Sequence, residues 1–203
     1  MKKNKKIFIV LIICICLIGI GIIGFKIIKD RGGVVISCKT NYLVNEQLKS
    51  YRQDDSQWKD DKLGKSKFTM ETSGCIVTSI ATAISQSDNP LNPGQLVELL
   101  SENEVFDSDG NLQWGKLEEI SGFHTKVYDN VSEENINECL EKHKYPIVKV
   151  HRKTLTSYHH FVLIIGSENG DFICMDPLED DLTKLSDYGN MVYAVRCVWY
   201  ENN

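Results

Sequence analysis

An unbroken run of nineteen residues, Ile7 to Phe25, carries no charge, with Lys2, Lys3, Lys5 and Lys6 before it and Lys26 and Lys29 after it. As a helix rising about 1.5 Å per residue it spans roughly 28 Å, close to the roughly 30 Å hydrocarbon core of a bilayer. The run predicts a single-pass signal anchor that holds the lipid bilayer through residues 7–25. Its basic tip stays in the cytoplasm and the carboxyl-terminal domain lies outside the cell membrane. Two rivals remain. A cleaved signal peptide normally has a shorter apolar region and small residues at its cleavage site, and no A-x-A pattern follows Phe25. A lipoprotein would use Val35-Ile36-Ser37-Cys38, which looks like a lipobox. That stretch sits more than ten residues past the apolar run, behind Lys26, Lys29 and Arg31.

The charge balance divides at the same place. Residues 1–31 hold seven of the 23 basic residues and one of the 28 acidic ones, so the remainder carries 16 and 27, a net of −11. An acidic domain of that kind is a poor candidate for gripping nucleic acid. Residues 32–48 read as a juxtamembrane linker, and 49–203 as one domain. Within it, CIVTSIATAIS (75–85) has apolar residues at helical spacing. Pro93 with Asn92 as N-cap begins a second helix, Gln113–Ile120 suggests a third, and Ser132-Glu133-Glu134-Asn135 caps a fourth. Strands are then expected at Tyr145–His151, His160–Gly166, Asp171–Met175 and Met191–Tyr200. Helices followed by strands indicate an α+β domain.

Seven cysteines need the same division. Cys14 and Cys16 lie in the apolar run, where a thiol behaves as a small hydrophobe. Cys38, Cys75, Cys139, Cys174 and Cys197 lie outside it, an odd number that leaves at least one thiol over in a disulfide-permitting compartment. Cys174 and Cys197 sit in apolar, strand-like runs and read as core.

Three features carry chemistry. Ser73-Gly74-Cys75 places a thiol at the first turn of an apolar helix, where unpaired N–H groups and the helix dipole favour the thiolate. Gly74 would leave room there for a substrate backbone. In Tyr158-His159-His160-Phe161-Val162 a strand begins at a histidine, and a histidine near a cysteine can hold or take its proton. Adjacent strand residues face opposite ways, so only one of His159 and His160 can serve. Met175-Asp176-Pro177 closes the next strand, after the turn Glu168-Asn169-Gly170, and puts a carboxylate beside the start of its neighbour, where it can orient an imidazole. Taken singly, each has a structural reading: a buried cysteine, a strand-end histidine, an Asp-Pro turn.

Together with Gln53-Asp54-Asp55-Ser56-Gln57-Trp58 and Leu63-Gly64, these pieces resemble a papain-like cysteine peptidase. Specifically, the order Q-x-D-x-x-W, G-C, H-F-V and D-P over residues 49–177 is similar to that of the stand-alone relatives of family thirty-nine of the cysteine peptidases, whose founding members remove double-glycine leaders from bacteriocins. The resemblance implies a papain-like fold, with N-terminal helices packed on an antiparallel sheet behind one transmembrane helix. It implies Cys75 as nucleophile, His160 as base and then acid, Asp176 as orienter and Gln53 as oxyanion donor, with a peptide or protein as substrate. Losing such a donor typically costs about 10²–10³ in rate. One departure stands out: papain-like enzymes usually carry this glutamine about six residues before the cysteine, where this chain has Thr69. Gln53 lies 22 positions upstream, so Trp58–Glu71 must loop out, with Asp55 and Trp58 as structural members of that loop and Gln57 as a lesser substitute.

Two alternatives accompany this expectation: a cell-wall endopeptidase cleaving peptidoglycan stem peptides, and a non-catalytic peptide-binding module of the same fold. The NlpC-type wall hydrolases usually carry D-C-S at the nucleophile, which Gly74-Cys75-Ile76 lacks. No cofactor is expected, and no G-x-x-x-x-G-K loop is present, so any energy source or transporter is a separate membrane partner. Asp107-Ser108-Asp109-Gly110-Asn111 has a misplaced glycine for a calcium loop and reads as a turn. Cys139 and His143 at i, i+4 lack further ligands for a metal, and His124 and His151 have no evident role. Glu179-Asp180-Asp181 reads as a solvated loop, or as a preference for a basic substrate.

Overall fold

The structure, a computed structural model, describes residues 32–153 and 157–202. The anchor expected at 7–25 lies outside the described residues; among the described residues no helix is long and apolar enough to cross a membrane. The chain divides into Met1–Gly33 and Val34–Asn203, and only the second unit is described below.

A curved path of seven strands, all paired antiparallel, organises the unit. They are β1 (Val34–Val35), β2 (Phe123–Val127), β3 (Pro146–Lys153), β4 (Ser157–Glu168), β5 (Asp171–Met175), β6 (Thr183–Lys184) and β7 (Met191–Tyr200). The order is β1-β7-β3-β4-β5-β6, and β2 shares the outer edge of β7 with β1: Val34 and Val35 lie against Val192 and Met191, while Phe123–Val127 lie against Tyr200–Arg196. The helices are α1 (Met70–Ser73), α2 (Cys75–Ala83), α3 (Pro93–Glu102), α4 (Trp114–Glu118) and α5 (Glu133–Glu141), with a 3₁₀ turn at Leu185–Tyr188. The Asn92 side chain accepts from Gln95 N–H and the Ser132 side chain from Asn135 N–H, so both predicted N-caps close their helices.

Both faces of the sheet are covered, because strand side chains alternate. Leu163 and Ile165 of β4, with Ile147, Ile173 and Met175, join Val77 and Ile80 of α2, its C-cap Ile84, and Leu96 and Leu100 of α3 in one core. Val162 and Ile164, with Val148, Val150 and Cys174, join Ile136 and Leu140 of α5 and Leu185 and Tyr188 in a second. Double burial explains the uninterrupted Val162-Leu163-Ile164-Ile165 run, where a half-exposed strand would alternate polar residues.

Two expectations need correction, and one arrangement adds to them. Residues 34–48 are not a linker: Val34–Val35 form a strand, Ile36 and Leu48 are buried, and Asn45 N–H donates to Ile165 O at 3.0 Å. Most of their apolar residues fall in two short clusters, Val34-Val35-Ile36 and Tyr42-Leu43-Val44, too short to give a helix or strand period. The order of helices first and strands after is broken by β1 and β2, short edge strands whose side chains, Phe123 apart, are exposed or half-exposed and give little hydrophobic pattern. And α5 covers the face opposite α2 and α3, so the helices do not all share one side.

Candidate active site

Cys75 opens α2 with Gly74 as N-cap, and the Thr78 N–H to Gly74 O bond of 2.9 Å is the first turn of that helix. The preceding α1 ends at Ser73, so the chain breaks its helix once, at Gly74. The glycine is needed for packing and not, as expected, to make space for a substrate. A Cβ there would meet Met70 O at 2.4 Å and both Cα and Sδ of Met70 at 2.8 Å. Gly74→Ala is therefore expected to cost about 1–3 kcal/mol through overpacking against backbone, measurable as a lower urea midpoint with unchanged slope; an unshifted midpoint would show that the turn relaxes freely.

His160 lies three residues inside β4, which begins at Ser157 rather than at the histidine. It is opposite Val150 on β3 and is 1% exposed, whereas His159 points the other way, is exposed, and packs on His151 and Tyr193 with ring centroids 4.3 and 4.9 Å away. The hairpin to β5 turns through Asn169-Gly170, with φ of 53° and 80°, between the paired residues Glu168 and Asp171. Two residues in the left-handed region form the tight hairpin loop that an Asn-Gly pair favours. With a one-residue bulge in β4 between Ile164 and Gly166, it sets the register, Leu163 facing Met175, and brings Asp176 level with the His160 end of β4.

The carboxylate of Asp176 is 1% exposed and fully bonded. Its Oδ1 meets His160 Nε2 at 2.7 Å and accepts from Leu178 N–H at 2.8 Å; its Oδ2 accepts from Tyr188 O–H and Arg152 Nη1, both at 2.6 Å. With Nε2 committed to Asp176, Nδ1 is the ring nitrogen left for the hydrogen bond between His160 and Cys75. Burial opposes a charge on His160, but the hydrogen bonds to Asp176 and Cys75 outweigh it and raise its pKa to about 9. Burial opposes the Asp176 charge as well, and the bond and charge of His160, with Tyr188 and Leu178 N–H, hold it down at about 2.

Gln53 is 3% exposed and enters by a different route. Its backbone N–H donates to Pro177 O at 2.9 Å, tying it to the residue after Asp176, and its side-chain Nε2 donates to Glu71 O at 2.7 Å. In an uninterrupted helix Glu71 O would receive the Cys75 N–H, so Gln53 sits against the break that Gly74 makes. One N–H of the amide remains, while Oε1 has no partner among the described residues. The 22-residue spacing is taken up as expected. Residues 59–71 double back, with Met70 N–H on Asp61 O at 2.8 Å and Glu71 N–H on Lys59 O at 2.9 Å. Trp58 is buried and donates from Nε1 to Arg52 O at 2.8 Å, and Asp55 bonds Gln57, so both serve the loop.

A cleft of about 530 Å³ joins these groups, lined by Gln53, Cys75 and His160 with Tyr158, Phe161 and Trp114. A groove of about 640 Å³ between residues 42–47 and 140–145 holds no cysteine.

Arg152, Tyr188 and Arg52 carry no motif and were not anticipated. Arg152 bridges Asp176 and Glu179, and Arg52 bridges Asp54 at 2.8 Å and Asp180 at 2.9 Å. Asp180 and Asp181 are exposed, as expected of a solvated loop, while Glu179 and Asp180 are also paired with Arg152 and Arg52. Asp107 Oδ1 accepts from the N–H groups of Asp109 and Asn111, both within 2.9 Å, forming a turn closed by its own carboxylate.

No family model matches the chain, and no curated protein matches it. Among solved structures it is similar to the crystal structure of a candidate C39-like peptidase from Bacillus anthracis, at 12% identity and a TM-score of 0.52, over 81% of this chain and 100% of that one. At that identity the likeness speaks to architecture: the chain has a C39-like peptidase fold, the one its motif order implied.

Proposed function

We propose that this chain is a membrane-anchored, extracytoplasmic cysteine peptidase that hydrolyses peptide bonds with Cys75, His160, Asp176 and Gln53. The observation that carries the reading is His160, buried with Asp176 on one ring nitrogen and lining the same cleft as Cys75 and Gln53. The hydrogen bond between Cys75 and His160 carries the proton that the thiol must lose to attack. Cys75 Sγ adds to the substrate carbonyl, and the remaining Gln53 N–H, with the Cys75 backbone N–H, meets the negative charge that grows on the carbonyl oxygen. The C–N bond then breaks, His160 protonates the leaving amine, and an acyl-thioester remains. Water attacks that thioester as His160 takes its proton; the C–S bond breaks, the acid leaves and Cys75 is regenerated. Asp176 stays ionised and holds the ring in the tautomer this requires. The uncharged run 7–25 supports the anchor.

Brief treatment of the folded full chain with iodoacetamide tests the reading. Cys75 and Cys38 are both half-buried, so access alone predicts similar labelling, whereas an activated nucleophile makes Cys75 faster. Equal rates, or no reaction at Cys75, would favour a peptide-binding module. Carbonate extraction followed by N-terminal sequencing tests the anchor: a soluble chain, or one beginning near Cys38, overturns it.

A further inference from the structure

Two buried cysteines outside the cleft lie where α5 packs beside β7. Cys139 lies in the last turn of α5 and is 1% exposed; Cys197 lies on β7, between Lys126 of β2 and Pro146 of β3, and is 3% exposed. Each thiol acts on the ionisation of the other, and Tyr128 O–H is 3.5 Å from Cys139 Sγ on the strand side of the pair. The two cysteines are therefore neighbours although 58 positions separate them in the chain. By contrast, Cys174 Sγ lies 3.8 Å from its neighbour Phe172 O in the same strand.

We propose that Cys139 and Cys197 close a disulfide that ties α5 to β7 when the chain folds in an oxidising compartment. The oxidant is an external disulfide, either oxidised glutathione or the disulfide of a thiol oxidoreductase. One cysteine attacks as the thiolate, breaks the external S–S bond and releases one thiol. The other attacks the resulting mixed disulfide and releases the second. Two protein S–H bonds are lost, one protein S–S bond forms, and two electrons and two protons end on the external pair. An oxidant the size of glutathione cannot reach sulfurs this buried, so the bond closes before α5 docks. The closed loop contains β3 to β6 and hence both His160 and Asp176, so the cross-link shortens the unfolded excursions of the strands that carry the site. It does not depend on the peptidase reading, since neither thiol lines the cleft.

The test uses the full chain in detergent, reduced, unfolded, and refolded in a mixture of oxidised and reduced glutathione. It is then unfolded again, alkylated without reduction, digested and mapped by mass spectrometry. The expected product is one peptide pair linked through Cys139 and Cys197, with a thermal midpoint on the order of 10 °C above that of the same protein refolded in reductant. Alkyl label on both cysteines after oxidative refolding, or a link from either one to Cys38, Cys75 or Cys174, overturns the proposal.

Discussion

His160→Ala is expected to reduce hydrolysis of any peptide the parent chain cleaves by about 10²–10⁴-fold, the usual contribution of a positioned general acid–base. The fold should survive, because the imidazole meets the core at the sheet's end and its removal leaves Asp176 with Arg152, Tyr188 and Leu178 N–H as partners. Circular dichroism with single-turnover kinetics separates loss of chemistry from loss of structure. A folded variant within threefold of the parent would sink the assignment. The parent's pH profile supplies an independent reading. With His160 holding its proton to about pH 9, the step that protonates the leaving amine should fail only above that value. An alkaline limb near 6.5, the ordinary histidine value, would mean that the Asp176 pairing does not support the ring.

Asp176→Ala should produce the largest loss of stability, about 3–5 kcal/mol, because it strands the groups arranged around a buried carboxylate. Tyr188 O–H and Arg152 both lose the oxygen they share, and Leu178 N–H loses its acceptor. Urea titration measures this; a loss below about 1 kcal/mol would show that Arg152 and Glu179 re-pair without penalty. The pair also sets a pH window. His160, raised to about 9, contributes stability that is complete below the unfolded value near 6.5 and fades as pH climbs through 9. Asp176, lowered to about 2, contributes stability that is complete above its unfolded value near 3.8 and is lost as pH falls through 2. The parent should therefore hold the full contribution between about pH 4 and 6.5, and Asp176→Ala should flatten both flanks.

Much of this arrangement can be read from the chain because its determinants are local. Cys75 announces itself by Ser73-Gly74 before an apolar helix, and the Asn169-Gly170 turn sets the spacing between His160 and Asp176. The N-caps Asn92 and Ser132 likewise act within one turn of helix. What escaped depends on distance. Arg152 and Tyr188 reach Asp176 from 24 and 12 positions away and belong to no pattern. Val34–Val35 becomes a strand only because the edge of β7 is there to receive it. Gly74 was read with the right importance and the wrong cause, since the atom that excludes a side chain there belongs to Met70, on the preceding turn.

The two-residue hairpin between β4 and β5 makes loop length a functional quantity. Strand side chains alternate with a period of two, so adding one residue at Asn169-Gly170 without a second, compensating bulge would turn Asp176 to the face covered by α2 and α3 while His160 stayed on the face covered by α5. Every side chain of the site would still be present in the sequence, and an inspection of motifs would find the protein intact. Divergent chains of this architecture are therefore better compared by counting residues from the histidine to the aspartate through the hairpin than by scoring the identities between them.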